Sequence, residues 1–344
     1  MVRVNTPLPT RPLGNTGMQL TGIGFGTWAT GGGGYAFGWG AQKDEDSIEA
    51  IKHAVSLGIN WIDTAAVYGL GHAEKIVSRA LQDIPRNERP YVFTKCGMVW
   101  NEEDSSAVPQ KIANPHSLRR ELDASLQRLK VEQIDLYQMH WPPSDGTPLE
   151  DYWGTLLELK TAGKVRALGL SNHSIAQLQA AEHLGHVDAS QPPFSAMRRG
   201  SGKEEIPWCY KNKTGVIVYS TMQSGLLSGT FSKERVAQLP ADDWRSQSPR
   251  FRDEELRKGL DLADRLASIA VRYQATPGAI AIAWTLAWPG VTGAIVGARN
   301  ASQVDDWIQA GTLRITTADL NEIATAIDQL NIGSGPSRPS PIAD

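Results

Sequence analysis

Cysteine is almost missing from this chain of 344 residues: only Cys96 and Cys209 are present. Two thiols supply neither a framework of bridges nor a structural zinc site. A surplus of one charge is missing too. Lys and Arg number 34 against 37 Asp and Glu, a formal charge of -3, which argues against a general nucleic-acid binder, since that needs a basic excess gathered on one face. Long apolar runs are absent. The most apolar stretch, Ala279 to Trp288, is about half of the roughly 20 residues a membrane span requires. The N-terminal Met-Val-Arg-Val-Asn-Thr-Pro-Leu-Pro has no apolar core of the kind a secretion signal carries. No Pro/Ser-rich linker divides the chain, and no repeat runs through it. Core material, by contrast, is ample: 41% of residues are hydrophobic and 21% charged, outside the composition of disorder. The expectation is one globular domain over 1–344, in a reducing compartment, the cytoplasm.

Short apolar runs alternate with longer amphipathic ones. Strands are expected at Gly22–Gly26, Asn60–Ala65, Tyr91–Cys96, Ile134–His140, Ala167–Asn172, Asp188–Pro192, Val216–Thr221 and Thr292–Ala298. Most are rich in Ile, Val, Phe or Tyr and lack clean polar alternation, as strands buried on both faces should. Helices are expected at Asp46–Leu57, Ser117–Leu129, Leu149–Ala162 and Ser174–Leu184; Leu118, Leu122, Leu126 and Leu129 make one apolar stripe. Strand-helix alternation implies a parallel sheet, because parallel neighbours need a crossover. About eight such units suit a closed (β/α)8 barrel, of the TIM type, better than an open sheet. Outside the pattern lie Arg11–Thr21, read as a hairpin plugging one end, Phe231–Arg252, read as a long polar loop, and Asn331–Asp344, rich in Gly, Ser and Pro and read as a flexible tail.

A parallel barrel carries its active site at the carboxyl ends of its strands. Four chemistry-bearing residues end adjacent strands: Asp63 and Tyr68, then Lys95, then His140. Singly, each has an ordinary reading as a turn cap, a packed loop aromatic, a solvated lysine or a core histidine. Together they have a chemical logic. A Tyr hydroxyl titrates near 10; a nearby Lys ammonium would lower that value, and a carboxylate would hold the Lys charged and aimed. A His beside them can orient a carbonyl oxygen. This is general-acid catalysis with electrostatic support for a developing oxyanion. The set includes no Ser or Cys nucleophile, so it needs an external one, and nicotinamide hydride fits.

The segments Trp61-Ile-Asp63-Thr-Ala-Ala-Val-Tyr68-Gly, Thr94-Lys95, Asp135-Leu-Tyr-Gln-Met-His140 and Gly169-Leu-Ser171-Asn172 resemble the aldo-keto reductase family. Val218-Tyr219-Ser220, Ser224 to Gly229 and Ile295-Val-Gly297-Ala-Arg299 to Gln303 look like its cofactor strands, and Leu239-Pro-Ala-Asp-Asp-Trp-Arg245 is similar to a motif of its bacterial branch. The match runs from about Leu13 to Leu330 in family order. The resemblance implies a (β/α)8 barrel with an N-terminal hairpin and extra C-terminal helices, and an NAD(P)(H)-dependent oxidoreductase that reduces aldehydes or ketones, or oxidises alcohols, sugars included. Tyr68 would donate the proton, Lys95 and Asp63 would tune it, and His140 would orient the carbonyl. Ser171, Asn172 and Gln191 would hold the nicotinamide carboxamide, with Tyr219 stacked on the ring. Ser220, Leu226 and Ser228 would line the pyrophosphate path, while Gly297, Arg299, Gln303 and Asp306 would serve the adenosine end. Gly26, Thr27 and Trp28 would border both nicotinamide and substrate, with Trp100 and Trp141 on the substrate side.

The chain departs from the family at Pro192-Pro193-Phe194-Ser195, where a Tyr-Asn pair is frequent, at Thr221-Met222, where Pro-Leu is usual, and at Asp306-Trp307, where many relatives carry Glu-Asn. Arg299 still offers a bidentate cation suited to a 2′-phosphate, which favours NADP(H), with NAD(H) the alternative. Other signals are set aside. Gly22-Ile-Gly24-Phe-Gly26 has the wrong spacing for a dinucleotide loop, and Gly31–Gly34 reads as a mobile loop over the mouth. His183 and His186 lack a completing ligand, so no metal is expected. Cys96 should point away from Lys95 and pack. A second functional class is a redox-sensing accessory subunit that binds nicotinamide with little turnover. The expected partner is a small carbonyl, alcohol or sugar, with neither nucleic acid nor membrane.

Overall fold

Eight short strands buried on both faces can satisfy every edge only by closing. In the computed structural model, which describes residues 7–342, they do. An antiparallel hairpin, β1 (Thr10–Pro12) with β2 (Gln19–Thr21), precedes a closed parallel barrel. Its strands are β3 (Ile23–Gly26), β4 (Trp61–Asp63), β5 (Tyr91–Cys96), β6 (Ile134–Met139), β7 (Val165–Ser171), β8 (Ala189–Gln191), β9 (Gly215–Val218) and β10 (Gly293–Gly297). They pair in chain order, and β10 returns to β3. All eight expected strands are present; β5 spans the expected residues, and β7 and β9 begin earlier than expected.

Helices α1 (Asp44–Ser56), α2 (His72–Gln82), α3 (Pro115–Leu129), α4 (Leu149–Thr161), α5 (Ile175–Leu184) and α6 (Glu205–Lys211) follow β3 to β8 in turn. After β9 come α7 (Lys233–Ala237), α8 (Asp253–Arg272) and α9 (Pro277–Leu286); α10 (Ala301–Trp307) and α11 (Thr317–Gln329) follow β10. Local chemistry sets their starts. Asn114 accepts from Ser117 N ahead of α3, with Pro115 in the first turn, and Ser174 with Gln177 forms a capping box on α5.

The barrel interior follows a period of two along each strand. Its lower layer is apolar: Trp61, Phe93, Leu136, Ala167, Ala189 and Ile217, sealed from below by Leu13, Met18 and Leu20 of the hairpin segment. Trp61 also donates its indole N–H to Thr21 O at 2.9 Å, which ties the plug to the barrel. Gly24 makes room for that indole, since a Cβ there would lie 2.2 Å from Trp61 Cε2. Two residues further along the same strands, the layer turns polar.

The reading of Phe231–Arg252 as a polar loop needs correction. This segment contains α7 and two 3-10 turns, and it buries Asp243, Arg245 and Phe251. Phe251 packs with Leu226 and Leu256, and Arg245 Nη2 bonds Asp243 Oδ2 at 2.6 Å. Local charge made the segment look polar, but its buried charges satisfy one another. Of the C-terminal tail, 343–344 lie outside the described residues; Ile332 is buried and its carbonyl accepts from Arg199 Nη2 at 2.8 Å. Among the described residues, no helix is long and apolar enough to cross a membrane.

Candidate active site

The polar layer above Trp61, Phe93, Leu136 and Ala189 is Asp63, Lys95, Gln138 and Gln191, all buried. Lys95 Nζ donates to Asp63 Oδ1 at 2.6 Å, to Thr64 O at 2.9 Å and to Tyr68 Oη at 3.5 Å. Gln191 Nε2 donates to the other carboxylate oxygen, Asp63 Oδ2, at 2.8 Å. Tyr68, just past β4, meets the His140 ring edge-on with centroids 5.7 Å apart. The four residues singled out at strand ends therefore converge. Asp63 cannot act as a surface turn cap, nor Lys95 as a solvated lysine, because both are sealed.

Burial dominates the electrostatics. Desolvation lowers the Lys95 pKa and raises that of Asp63, each opposed by the partner's charge. The Tyr68 phenol lies well above its usual value, through burial first and then the Asp63 charge. The expectation that Lys95 would lower it is corrected: Asp63 neutralises the ammonium, so little net positive charge reaches the phenol. His140 is held well below the ordinary imidazole value by burial and then by Lys95 and Lys111. At neutral pH the site thus presents a protonated phenol and an uncharged imidazole.

Beside this group lies a chain of amides and hydroxyls. Ser171 Oγ donates to Gln191 O at 2.9 Å. Asn172 Nδ2 donates to His140 O at 2.9 Å and to Ser171 Oγ at 3.1 Å, and Tyr219 Oη donates to Asn172 Oδ1 at 2.6 Å. Asn172, Ser220, Gln223 and Ser224 hold left-handed backbone (φ 62, 60, 50 and 56°), a strain that clusters at functional edges. Ser228 Oγ pairs with Thr230 Oγ1. Leu226 turns its side chain into the Phe251–Leu256 cluster instead of the groove. At the far end Gly297 pairs with Gly26, and Arg299 N donates to Gln303 Oε1 at 2.9 Å. The Arg299 guanidinium reaches the β3–α1 loop, with Nε on Gln42 Oε1 at 2.7 Å and Nη2 on Ala41 O. Asp306 stands exposed on α10.

The family model for the Aldo/keto reductase family matches residues 22–328. The chain belongs to that family. It is 34% identical over 330 residues to the NADH-specific methylglyoxal reductase of Escherichia coli (strain K12), covering 92% of this chain and 99% of that protein. It is 28% identical over 328 residues to an aldo-keto reductase of Schizosaccharomyces pombe whose name carries NADP(+), covering 94% of this chain and 93% of the other. The solved glycerol dehydrogenase of Gluconobacter oxydans superposes with a TM-score of 0.83 at 32% identity over 98% of both chains. This aldo-keto reductase is accordingly an oxidoreductase that uses a nicotinamide cofactor to interconvert carbonyl groups and alcohols.

The donor set suits that cofactor. Gln191 Oε1 takes no hydrogen bond from the described residues, and its Nε2 gives only one, to Asp63, so this carboxamide keeps an acceptor and a donor for a nicotinamide carboxamide. Above Tyr68 the reductase carries an aromatic wall. Trp28 stacks over Tyr68 at 6.2 Å and over Trp244 at 5.2 Å, with Trp39 edge-on to both. Thr27 is buried beneath it, bonded to Asp63 O. Gly31–Gly34 lies in this β3–α1 loop, which Trp244 N clasps through Gly38 O at 2.9 Å. Trp141 and Tyr68 each pack against the cluster of Ala65, Val67 and Met98. Trp100 does not join them; its ring faces the Arg128 guanidinium at 5.8 Å.

Sequence reading missed three participants. Gln138 lies in the same buried layer as Asp63, close enough to lower that carboxylate's pKa, Trp244 comes from the misread segment, and Arg198 stands at the rim. Gln138 left a signal as a polar residue at an inward position of an apolar strand, and Trp244 left one as part of the Leu239–Arg245 motif. Among the described residues no group of metal-ligating side chains forms. His183 faces Gln179 O, His186 pairs with Glu182, and Cys96 is packed on the outer side of β5.

Proposed function

We propose that Tyr68 is the general acid-base of this reductase, and the observation that carries the proposal is the Asp63–Lys95–Tyr68 contact chain in a buried polar layer. Because its pKa is raised, Tyr68 holds its proton until an alkoxide develops on the substrate oxygen. It then donates, and the phenolate formed meets Lys95 Nζ, 3.5 Å from the hydroxyl oxygen. Asp63 keeps that ammonium charged and aimed. His140, uncharged, orients the carbonyl oxygen by hydrogen bonding. The bound nicotinamide supplies or accepts the hydride. Ser171, Asn172 and Gln191 hold its carboxamide, and the ring of Tyr219 is its platform.

NADP(H) is the favoured cofactor on this reading, supported by Arg299, a cation at the adenosine end. Its hold on Ala41 and Gln42 leaves guanidinium N–H groups for a 2′-phosphate. Gln303 and Asp306 flank it on the same turn and helix, and Ser220 and Ser228 border the phosphate path. The substrate is a small aldehyde, ketone, alcohol or sugar set against Trp28 and Trp141. The relatives above carry enzyme names, which favours turnover over an accessory binding role. The test is cofactor titration by tryptophan fluorescence. Arg299→Ala should weaken NADPH far more than NADH, by roughly 1.5–3 kcal/mol, the size of a lost charged hydrogen bond. Equal effects on both nucleotides would reject the assignment.

A further inference from the structure

A cavity of about 590 Å³ opens beside the catalytic group, bordered by Trp141 and Asn172 and running past Pro193 and Met197 to Arg198 and Arg199. Its volume is that of a small-molecule site. Asn172 donates to His140 O, and the His140 ring meets Tyr68, so the cavity continues the mouth in which a carbonyl would sit. Its charges are unevenly matched. Lys203 pairs with Glu204 at 3.6 Å, while Glu205 accepts from the neutral Ser190 Oγ at 2.8 Å, and burial raises its pKa.

The arginines are not so matched. Arg198 is exposed at the rim, and no carboxylate among the described residues lies within ion-pair distance of it. Arg199 is buried, bonded only to the carbonyls of Ala196 and Ile332, and its Nε has no partner. Met197, between Pro193 and these arginines, packs into the cluster of Leu226, Phe251 and Leu256, which brings the adjacent Arg250 to the same rim. Arg250 is likewise without a carboxylate, and burial followed by repulsion from Arg198 lowers its pKa. Three arginines without an ion-pair partner, set against the buried Glu205, leave an excess of positive charge beside the reaction centre, and guanidinium matches carboxylate and phosphate bidentately.

We infer that the carbonyl substrate of this enzyme carries an anionic group, carboxylate or phosphate, held at the cavity rim by Arg198 with Arg250 beside it. The inference rests on the reading of Tyr68 as the acid, because it places the reacting carbonyl at that end of the cavity.

The experiment compares aldehydes matched in length with and without charge: 4-oxobutanoate against butanal, and glyceraldehyde 3-phosphate against glyceraldehyde. At low salt, kcat/KM should be at least tenfold higher for one anionic member, and the pair showing it identifies carboxylate or phosphate. The preference should shrink with added salt. In Arg198→Met, checked for folding by circular dichroism, the anionic-to-neutral ratio should fall at least tenfold through KM. Ratios near one for both pairs, or a ratio unchanged in Arg198→Met, overturn the inference. Succinate and inorganic phosphate, titrated by fluorescence of the Trp141-lined cavity, decide it separately. If no aldehyde is reduced, the proposed function falls, while Arg198-dependent binding of either probe sustains the anion site. Absence of such binding overturns it.

Discussion

At the scale of single residues, Tyr68 is where composition and position part company. Its place at a strand end, next to Asp63, Lys95 and His140, is legible because each falls where a parallel barrel exposes its chemistry. The direction of its pKa is not legible, because burial and an internally neutralised Lys–Asp pair exist only in three dimensions. Gln138 shows the same limit: the sequence displays the residue but not that its amide lies beside the buried Asp63 carboxylate. Tyr68→Phe keeps the ring and removes the proton. Turnover of a generic aldehyde should fall by about 10²–10⁴, with nucleotide affinity and the unfolding midpoint nearly unchanged. Single-turnover rates close to wild type would exclude Tyr68 as the acid.

At the scale of elements, the eight strands and four of the helices between them (α1, α3, α4 and α5) were readable from burial pattern and spacing, while α2, α6 and the long-range clasps were not. The β3–α1 loop and the segment before α8 meet through the Trp39–Asp243 bridge and the Trp244 N to Gly38 O bond, and 200 residues of chain separate the partners. Arg245 reinforces the clasp, bonded to Asp243 and set 4.5 Å over Trp39. Asp243→Ala removes the buried partner of Arg245 and should loosen both segments. Stopped-flow fluorescence should then show faster nucleotide release, and limited proteolysis should cut first within 231–252; unchanged rates and cleavage would show that the clasp is passive. Within the barrel, Gly24→Ala drives a methyl into the Trp61 indole. Overpacking of this kind costs about 1–3 kcal/mol, measurable as a lower urea midpoint. A wild-type midpoint would mean that the indole can shift.

At the scale of the molecule, buried histidines set the pH range of stability. His173 donates from Nδ1 to Ser171 O at 2.8 Å and accepts at Nε2 from Tyr152 Oη at 3.0 Å, an arrangement that only the neutral ring can make. Burial pulls its pKa down to about 4 against an unfolded 6.5. A depressed folded value means that stability is full above 6.5 and is lost as pH falls towards 4. His173 alone contributes about 3 kcal/mol over that interval, and His140, also depressed, adds to the slope. Urea unfolding at pH 7.5, 5.5 and 4.5 should record the decline, and His173→Gln should flatten it. An equally steep decline in that variant would move the cause elsewhere.

The two-layered interior also determines where the chain can tolerate a change in length. Strands β4, β5, β6 and β8 each follow an inward apolar residue with an inward polar one two positions on, so deleting one residue from β5 would exchange Lys95 for Thr94 or Cys96 at the reaction centre. Hydrophobic content and predicted elements would barely change. A deletion scan should therefore divide sharply: single losses inside β4, β5 or β6 abolish turnover, while losses in the exposed 101–107 stretch of the β5–α3 loop are borne.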